Sequence, residues 1–287
     1  MLKKKKEYAK EHLATNIDKM ACPKCGAGFS LEETGSLVCT NHHTFNLSKK
    51  GIIHFPDHHM TSDYDTDMLT HRRKMIQKGL YAPVLESITK ELSHLRETDL
   101  LVDMGSGEGS FVELLDREYH VSSQKMGFDL SKDGVLLSSD FSKEAFWFIA
   151  DVTNMPFADH AVSALLNIFS PSHYEEMKRV LADDGLIIKV IPEENYLKEL
   201  RQAFYAEKED KQTYSNNKVY DKFVKELELI KETRVTYQFP VLQEDYESIL
   251  KMSPIHWGAS KEALAQAKDS YFEGLTIDVL ILVGKKK

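Results

Sequence analysis

Residues 100–109, with the sequence LLVDMGSGEG, constrain the fold of this chain more than any other segment. An apolar run of strand length ends in an acid, and glycines then follow at every second position. Directly afterwards, Phe111, Leu114 and Leu115 have the spacing of one apolar helix face. A strand, a glycine turn and a helix in this order predict the start of a nucleotide-binding βαβ unit. Glycine suits such a turn because it permits positive φ and lets a ligand lie against bare main chain.

The spacing within the turn indicates which ligand it accepts. Gly105, Gly107 and Gly109 depart from the G-x-G-x-x-G pattern that binds a pyrophosphate. Asp103 precedes the turn and Glu108 lies inside it, and two carboxylates suit a cation better than a pyrophosphate. The segment resembles motif I of the class I S-adenosylmethionine-dependent methyltransferases, whose ligand carries a sulfonium and an ammonium. The alternative is a glycine-rich turn in some other α/β protein.

Further strands along the chain continue the α/β pattern. An acid closes each of the next two strands. Asp129 is at the position where an acid accepts hydrogen bonds from two ribose hydroxyls. Asp151 is at the position where an acid can accept a hydrogen bond from the adenine amino group. Tyr174, Met177, Val180 and Leu181 mark the buried face of a helix that we expect to end at residues 184–185. The predicted strands are residues 125–128, 145–150, 161–167, 186–191 and 275–283, the last as an antiparallel edge.

A separate signal near the N-terminus indicates a metal site. Cys22, Cys25 and Cys39 are the only cysteines of the chain. C-x2-C followed by Cys39-x3-His43 supplies the four ligands of a tetrahedral structural zinc, with a hairpin expected between the two pairs. His42 is the competing histidine, and the spacing favours His43. The alternative is three cysteines clustered by chance.

Composition limits the classes of protein. The chain has 287 residues and a net charge of −8, which does not favour a general nucleic-acid-binding surface. A mean hydropathy of −0.39, together with no apolar run near the roughly 18 residues of a membrane span, predicts no membrane segment. The N-terminal lysines precede no apolar stretch, so we expect no signal peptide and a cytoplasmic location where thiols stay reduced.

We divide the chain into four parts. Residues 1–20 form a basic extension, expected as a solvated, partly frayed helix rather than an RNA-contacting arm. Residues 21–56 form a zinc-binding ribbon domain, and residues 57–98 form a linker with covering helices, beginning with an Asp-rich connector at 57–67. Residues 99–287 form the methyltransferase domain, in which the charged segment 205–235 is expected to be a mobile or substrate-side insertion. The predicted fold class is α/β, a class I methyltransferase Rossmann-like doubly wound sheet with a small N-terminal zinc ribbon.

Residues 21–287 as a whole resemble the RlmA family, the 23S rRNA guanine-N1 methyltransferases. The joint occurrence of several motifs makes the resemblance specific, whereas motif I alone would not. The motifs are Cys22-Pro23-x-Cys25 with Cys39-x3-His43-x-Phe45, Arg72-Arg73 with Gly79-x-Tyr81-x-Pro83, Asp103-x-Gly105-x-Gly107-Glu108-Gly109, Gly127-x-Asp129-x-Ser131-Lys132, Met155-Pro156-Phe157 and Met252-x-Pro254-x-x-Trp257.

The resemblance implies ligands, partners and site residues. It implies zinc at Cys22, Cys25, Cys39 and His43, S-adenosylmethionine as cofactor, 23S rRNA as substrate and a homodimer. The chain departs from the family pattern at two places. Tyr196 replaces a histidine of the relatives, and Phe169-Ser170-Pro171 replaces their Tyr-Ala-Pro. From the motifs and the resemblance together, the predicted cofactor contacts are Tyr81, Asp103, Gly105, Gly107, Glu108, Gly109, Asp129, Asp151, Val152, Asn167 and Tyr196.

The implied reaction transfers a methyl group to guanine N1, which lies on the Watson–Crick edge. The base must therefore be unpaired or flipped out. A guanine in a hairpin loop is favoured as the target, because exposing it costs less free energy than extruding a base from a duplex. The sequence does not identify the acceptor of the N1 proton, and the candidates are main-chain or side-chain acceptors around residues 167–171. Asn167 and Phe169 are the catalytic candidates, and the alternative is that this loop only packs against the cofactor. Arg72, Arg73 and Lys74 are either phosphate contacts or a solvated face.

Two other functions compete with this hypothesis. A small-molecule methyltransferase, such as one acting on a quinone ring, would need no zinc module. A non-catalytic RNA- or protein-binding module would not need the cofactor residues, yet Asp103, Asp129 and Asp151 are present. The sequence leaves open which of two neighbouring guanines is modified and whether the methyl group affects macrolide binding. The favoured hypothesis is an rRNA guanine-N1 methyltransferase whose zinc module aids RNA recognition.

Overall fold

A single large sheet forms the centre of the computed structural model, which describes residues 3–57, 64–206 and 215–287. Its strands are β4 (Ile52–His54), β5 (Leu100–Met104), β6 (Gln124–Asp129), β7 (Phe146–Ile149), β8 (Val162–Ile168), β9 (Leu181–Pro192), β10 (Glu228–Pro240) and β11 (Gly274–Lys285). Their spatial order is β10-β11-β9-β8-β5-β6-β7-β4. Neighbours from β4 to β9 run parallel, whereas β11 pairs antiparallel with both β9 and β10.

Helices cover both faces of this sheet, as the doubly wound prediction requires. They are α1 (Lys5–Asn16), α2 (Thr66–Gln77), α3 (Ala82–Leu92), α4 (Ser110–Arg117), α5 (Lys132–Ser138), α6 (Tyr174–Val180), α7 (Lys198–Phe204), α8 (Asn217–Glu226), α9 (Tyr246–Lys251) and α10 (Lys261–Asp269). One core contains Leu85 and Leu115, and a second core contains Leu13 and Phe223. Among the described helices, none combines the length and apolarity that spanning a membrane would take.

The strand that precedes the glycine turn is buried along its whole length. Every residue of β5 is inaccessible, because parallel strands on either side and helices on both faces enclose it. Pro83 lies in the first turn of α3, where its missing N–H costs nothing, and Leu85, Ile88 and Leu92 form the buried face of this helix. The predicted strands at 125–128, 145–150, 161–167 and 186–191 correspond to β6, β7, β8 and β9.

The small N-terminal sheet contains the predicted hairpin. Strands β1 (Phe29–Leu31) and β2 (Leu37–Cys39) pair antiparallel, and β3 (Thr44–Phe45) joins β2. The chain then passes directly into β4, whose Ile52 pairs with Trp147 of β7 at the edge of the central sheet. The ribbon is thus connected to the large sheet by a strand that belongs to that sheet.

The expectation of a solvated, frayed helix at the N-terminus is wrong. Ala9 and Leu13 of α1 are buried in the core, and Lys5 Nζ lies 2.6 Å from Asp140 Oδ1. The physical reason is the i, i+4 spacing of these two apolar residues, which gives an otherwise polar helix one face that packs on the protein.

The expected order at the C-terminal side of the sheet is also wrong. The last strand, β11, lies inside the sheet, and β10 forms the edge. The described part of the segment expected to be an insertion, 205–235, contains α8 and much of β10, while residues 207–214 lie outside the described residues. Exposed and half-buried residues alternate along most of β10, so its many charges reflect one solvated face of an edge strand.

The helix expected to continue to residues 184–185 ends earlier. Helix α6 stops at Val180, and β9 starts at Leu181. The pairing of β8 with β9 shifts register between Val162 and Ala164, so residues 182–185 form an irregularity inside the strand.

Candidate cofactor and substrate site

The glycine turn after β5 has a backbone that other residues would not adopt easily. Gly105, Gly107 and Gly109 have φ of 74°, 55° and 86°. A Cβ on Gly105 would lie 2.5 Å from the Cβ of Ser170, and one on Gly109 would lie 2.9 Å from Trp147. The turn therefore requires glycine both for its positive φ and for close approach to neighbouring segments.

A cavity of about 290 Å³ lies against this turn, at the carboxyl ends of the parallel strands; we call it the glycine-turn cavity. This is where open α/β sheets bind ligands. Its lining consists of Tyr64, Leu69, Arg72, Gly105, Ser106, Gly107, Glu108, Phe111, Asp129, Leu130, Ser131, Ala150, Val152, Ile168, Phe169, Ser170 and Pro171. Most of the predicted cofactor contacts from the turn and from β6 are thus brought together.

Asp129 connects the end of β6 to the glycine turn. Its Oδ2 accepts a hydrogen bond from the Gly107 amide at 2.9 Å, and its Oδ1 accepts one from the Ser131 amide at 2.7 Å. Burial raises the pKa of Asp129, although these backbone donors oppose the rise. The carboxylate both holds the turn and faces the cavity where a ribose was expected.

Asp103 is a buried acid that forms no ion pair with any of the described residues. It is 1% exposed, and its Oδ2 has no hydrogen-bond partner among the described residues. Burial, followed by the charges of Asp129 and Glu108, raises the pKa of Asp103 to about 7. A buried acid of this kind is suited to a cationic ligand group, which would restore the charge balance.

Glu108 is held by partners inside the protein. Its Oε2 accepts from Ser110 Oγ at 2.7 Å and from Arg73 Nε at 3.2 Å. Arg73 also donates to the Glu108 carbonyl and to Asp140 Oδ2, and its guanidinium lies over the ring of Phe141. Arg73 therefore supports the turn, which contradicts its prediction as an RNA phosphate contact.

A second cavity of about 330 Å³ adjoins the first; we call it the aromatic cavity. The two cavities share Tyr64, Arg72, Phe169 and Ser170. The remaining lining of the aromatic cavity consists of Tyr81, Lys189, Val190, Ile191, Pro192, Tyr196, Arg201, Val219, Met252, Ser253, Pro254 and Ile255. Two adjoining cavities are the arrangement that a two-substrate transfer reaction needs.

The predicted cofactor contacts Tyr81 and Tyr196 lie in this second cavity. Their hydroxyl oxygens are 2.5 Å apart. Phe169 packs against both rings, with centroid distances of 5.6 Å to Tyr81 and 5.2 Å to Tyr196. Phe169 has a φ of 55°, unusual for a bulky residue, and this strain is a mark of functional loops. Tyrosine in place of histidine at position 196 thus completes an aromatic wall.

Asn167 lies in neither cavity lining, which contradicts its prediction as a cofactor contact and catalytic candidate. Its amide nitrogen donates to Ser170 Oγ at 2.6 Å and to the Pro171 carbonyl at 2.9 Å. Its Oδ1 accepts from Ser172 Oγ and from Lys189 Nζ. The whole side chain is used to hold the loop that forms the shared wall.

Sequence reasoning missed Lys189. It is buried in β9, donates to Ser172 Oγ at 2.9 Å as well as to Asn167, and has its pKa lowered to about 8 by burial. A lysine inside the apolar run of residues 187–191 was the available signal, because lysine is rarely buried unless paired. Tyr64 and Trp257, whose rings are 5.3 Å apart, were also missed as neighbours of the cavities.

Three further predicted residues lie outside the linings. Asp151 does not line the glycine-turn cavity but accepts from the Thr153 amide at 2.8 Å, whereas its neighbour Val152 lies in that lining. Gly109 caps α4 behind the turn. Lys74 is paired with Asp245 at 2.9 Å, which does not support its prediction as a phosphate contact.

The predicted zinc ligands converge in the small N-terminal part of the chain. Cys22 and Cys39 Sγ each lie 3.5 Å from His43 Nδ1, and Cys25 Sγ lies 3.7 Å from Cys39 Sγ. A tetrahedral zinc with bonds of about 2.3 Å to sulfur and about 2.0–2.1 Å to nitrogen separates two sulfurs by about 3.8 Å, and sulfur from nitrogen by about 3.6 Å. The cluster fits zinc, and it contains His43 and not His42.

This cluster is attached to the loop that follows β7. Asn154 Nδ2 donates to the Pro23 carbonyl at 3.1 Å, and the Ala21 amide donates to the Pro156 carbonyl at 3.1 Å. Val152, in the same loop, lines the glycine-turn cavity. The cysteine knuckle is therefore a neighbour of the cavity wall.

Comparisons with known proteins place the chain among methyltransferases. Residues 102–188 match a family described as "Methyltransferase domain". A solved structure of phosphoethanolamine N-methyltransferase 2 from Haemonchus contortus, in complex with S-adenosyl-L-methionine, is similar with a TM-score of 0.50 and 13% identity. That similarity covers 78% of this chain and 58% of that one, and it concerns the fold alone.

Two curated relatives match nearly the full length. YxjB of Bacillus subtilis (strain 168), provisionally named a 23S rRNA (guanine-N(1)-)-methyltransferase, is 34% identical over 92% of this chain and 96% of that protein. The 23S rRNA (guanine(748)-N(1))-methyltransferase of Streptomyces fradiae is 24% identical over 86% of this chain and 89% of that protein.

Proposed function

This chain belongs to the family of 23S rRNA (guanine-N1)-methyltransferases, and from that premise we propose that it methylates N1 of a guanine in a hairpin loop of 23S rRNA. The supporting match extends over both the cysteine knuckle and the methyltransferase domain. The observation that carries the proposal is the pair of adjoining cavities, which share a wall at Phe169 and Ser170.

The glycine-turn cavity is suited to S-adenosylmethionine, which supplies an electrophilic methyl group on sulfur. Asp129 would take the ribose, because it stands at the end of β6 and already fixes the turn. Val152 would lie against the adenine. The unpartnered oxygen of Asp103 would compensate positive charge on the methionyl side.

The aromatic cavity is suited to a planar base. Tyr81, Tyr196 and Phe169 provide flat apolar surface, on which an extruded base can stack. Methyl transfer would require the Watson–Crick edge of that guanine to face the glycine-turn cavity, and the main contribution of the protein is to align N1 with the methyl group.

As the N1–carbon bond forms, the sulfur–methyl bond would break and release S-adenosylhomocysteine, and the N1 proton would pass to solvent. Phe169 has no titratable group, so its contribution is the stacking wall rather than proton transfer. The fixed loop of residues 167–172, held from behind by Lys189, keeps that wall in place without a separate closing motion. Positioning and exclusion of water are thus the roles that we assign to this loop.

We extend the proposal to the cysteine cluster, the assembly and the location. We propose that Cys22, Cys25, Cys39 and His43 bind a structural zinc, supported by the interatomic distances, and that the module aids RNA recognition. The family resemblance supports a homodimer, which light scattering in solution would test. An rRNA substrate supports a cytoplasmic location.

Methyl transfer to 23S rRNA tests the function directly. Purified protein is incubated with labelled S-adenosylmethionine and 23S rRNA from a strain deleted for this gene, and primer extension locates the product. We expect one strong stop at a loop guanine, because an N1 methyl group blocks base pairing. The variant Asp129→Asn serves as the control with low transfer, because it disturbs the hydrogen bonds that Asp129 accepts from the backbone of the turn.

The opposite result would separate the rival hypotheses. If the protein binds the cofactor but methylates neither naked 23S rRNA nor ribosomal particles, the rRNA assignment fails. A screen of quinone-like acceptors would then test the small-molecule alternative with the same protein.

A further inference from the structure

Arg72 occupies the junction of the two cavities. It lines both of them, and it is the only basic side chain among the described residues that line the glycine-turn cavity. Its neighbours on α2 are engaged, since Arg73 pairs with Glu108 and Lys74 pairs with Asp245. In contrast, none of the described residues accepts a hydrogen bond from the Arg72 guanidinium or forms an ion pair with it. Arg72 is half-buried, and a guanidinium that lines two cavities without an acceptor among the described residues is available to a ligand that supplies one.

The surroundings of Arg72 are suited to a small anion. Tyr81, Tyr196 and Glu108 lie close enough to interact electrostatically with the guanidinium. The two tyrosine hydroxyls, 2.5 Å apart, add buried polar atoms beside it. Glu108 does not neutralise Arg72 directly, because its Oε2 is already used by Arg73 and Ser110. The guanidinium and one hydroxyl proton therefore remain for an incoming acceptor, because the other hydroxyl proton is donated within the Tyr81–Tyr196 pair.

Charged side chains of both signs surround the glycine-turn cavity. Glu108 and Asp129 lie in its lining and Asp103 lies buried behind it, whereas Arg72 supplies positive charge on the side shared with the aromatic cavity. A zwitterion with an ammonium and a carboxylate on one carbon would satisfy both sides at once. The planar guanidinium presents donors in a fork that matches a carboxylate.

We infer that Arg72 is the residue that binds the methionyl carboxylate of S-adenosylmethionine, with the Tyr81–Tyr196 hydroxyl pair beside it. This inference rests on the cofactor part of the proposed function and is independent of which RNA is methylated. It replaces the expectation that Arg72 contacts an RNA phosphate, which is the other anion able to reach the junction.

A pair of ligands that differ in one group tests the inference. Decarboxylated S-adenosylmethionine keeps the sulfonium and the ammonium but lacks the carboxylate. Isothermal titration without RNA measures the Kd of both ligands for the wild type, Arg72→Gln and Arg72→Lys. We expect Arg72→Gln to weaken S-adenosylmethionine by roughly 10- to 100-fold and to change decarboxylated S-adenosylmethionine by less than about threefold. Arg72→Lys should give an intermediate loss, because it keeps the charge without the fork.

Lys74→Gln provides the matched control, because it removes a charge from the same helix outside the cavities. It should leave both ligands unchanged, and the melting temperature of each ligand-free variant verifies folding. Equal weakening of both ligands by Arg72→Gln, or no weakening of either, overturns the inference. Unchanged cofactor affinity with a raised KM for 23S rRNA would assign Arg72 to an RNA phosphate instead. A failure of rRNA methylation in the wild type, with the selective loss intact, would count against the proposed function and not against Arg72.

Discussion

The Asp103 carboxyl group has opposite consequences for stability and for ligand binding. Its pKa is raised from 3.8 to about 7, mainly by burial and then by Asp129 and Glu108. The folded protein thus keeps a proton that the unfolded chain loses near pH 4. Stability in the absence of ligand should therefore fall as the pH rises from about 4 to about 7, by at most about 4 kcal/mol for a shift of this size.

Binding of a cation beside Asp103 should favour the ionised form. The affinity for S-adenosylhomocysteine, which retains the ammonium, should therefore decrease below pH 7, by up to about tenfold for each pH unit. Titration calorimetry at pH 6, 7 and 8, in two buffers of different ionisation enthalpy, measures both the Kd and the released proton.

Asp103→Asn separates the two consequences. At pH 8 the ligand-free variant should melt at a higher temperature than the wild type, while its affinity for S-adenosylhomocysteine should be lower and independent of pH between 6 and 8. A variant that keeps the wild-type pH dependence would show that another group, such as Asp129, is responsible.

At the scale of elements, the loop after β8 is fixed by hydrogen bonds from buried and half-buried side chains. Asn167 and Lys189 hold it from the strand side, and Ser170 Oγ donates to the Met104 carbonyl at 2.7 Å. The same Ser170 packs against Gly105, so β5 and the loop after β8 support one another. The shared wall is thus built from two neighbouring strands.

The variants Asn167→Ala and Lys189→Met test this positioning role. Asn167→Ala removes one of the acceptors of the buried Lys189 ammonium, and it should destabilise the protein by about 2–3 kcal/mol, or several degrees in melting temperature. Lys189→Met in the same background should recover part of the loss, because the uncompensated charge is removed.

The double-mutant cycle distinguishes positioning from direct catalysis. A coupling of about 1–3 kcal/mol between the two substitutions is expected for a structural pair. If Asn167→Ala instead left the melting temperature unchanged and lowered only kcat, Asn167 would contact the substrate, in conflict with the arrangement described above.

At the scale of the whole molecule, strand pairing, a hydrogen bond and aromatic contacts connect the cysteine knuckle to the elements around the glycine-turn cavity. Strand β4 adds to the central sheet beside β7, and the hydrogen bond from Asn154 to Pro23 connects the knuckle with the loop containing Val152. Phe45, Phe55 and Phe148 form a continuous aromatic contact between the two parts. Loss of the metal should therefore affect the cavity as well as the ribbon.

Adjacent histidines provide a matched test of this coupling. His43→Asn should abolish stoichiometric zinc, lower the melting temperature and weaken S-adenosylhomocysteine several-fold. His42→Asn should keep zinc and affinity near wild type, because His42 lies outside the cluster and asparagine tolerates its φ of 61°. Zinc loss with unchanged cofactor affinity would show that the two parts are mechanically independent.

Local signals in the sequence predicted the parts of the fold that depend on neighbours along the chain. The glycine turn, the C-x2-C knuckle and the strands β5 to β9 are encoded by spacing over a few residues. The order of β10 and β11 and the packing of α1 are not, because both depend on which surface a distant segment leaves uncovered.

The same distinction applies to the site. The sequence by itself predicted that Gly105 and Gly107 form a turn beside Asp129, because the geometry of such a turn restricts the residue types. It also predicted one potential metal site, because the ligand chemistry of zinc favours the set Cys22, Cys25, Cys39 and His43. Only the tertiary structure decided that Asn167 is a buried support, that Arg73 braces Glu108 and that Arg72 faces both cavities. The physical reason is that a polar side chain takes its role from the partners that folding brings within hydrogen-bond distance. Those partners include Lys189 of β9, Glu108 of the glycine turn and residues 140–141, all distant along the chain from the side chains that they contact.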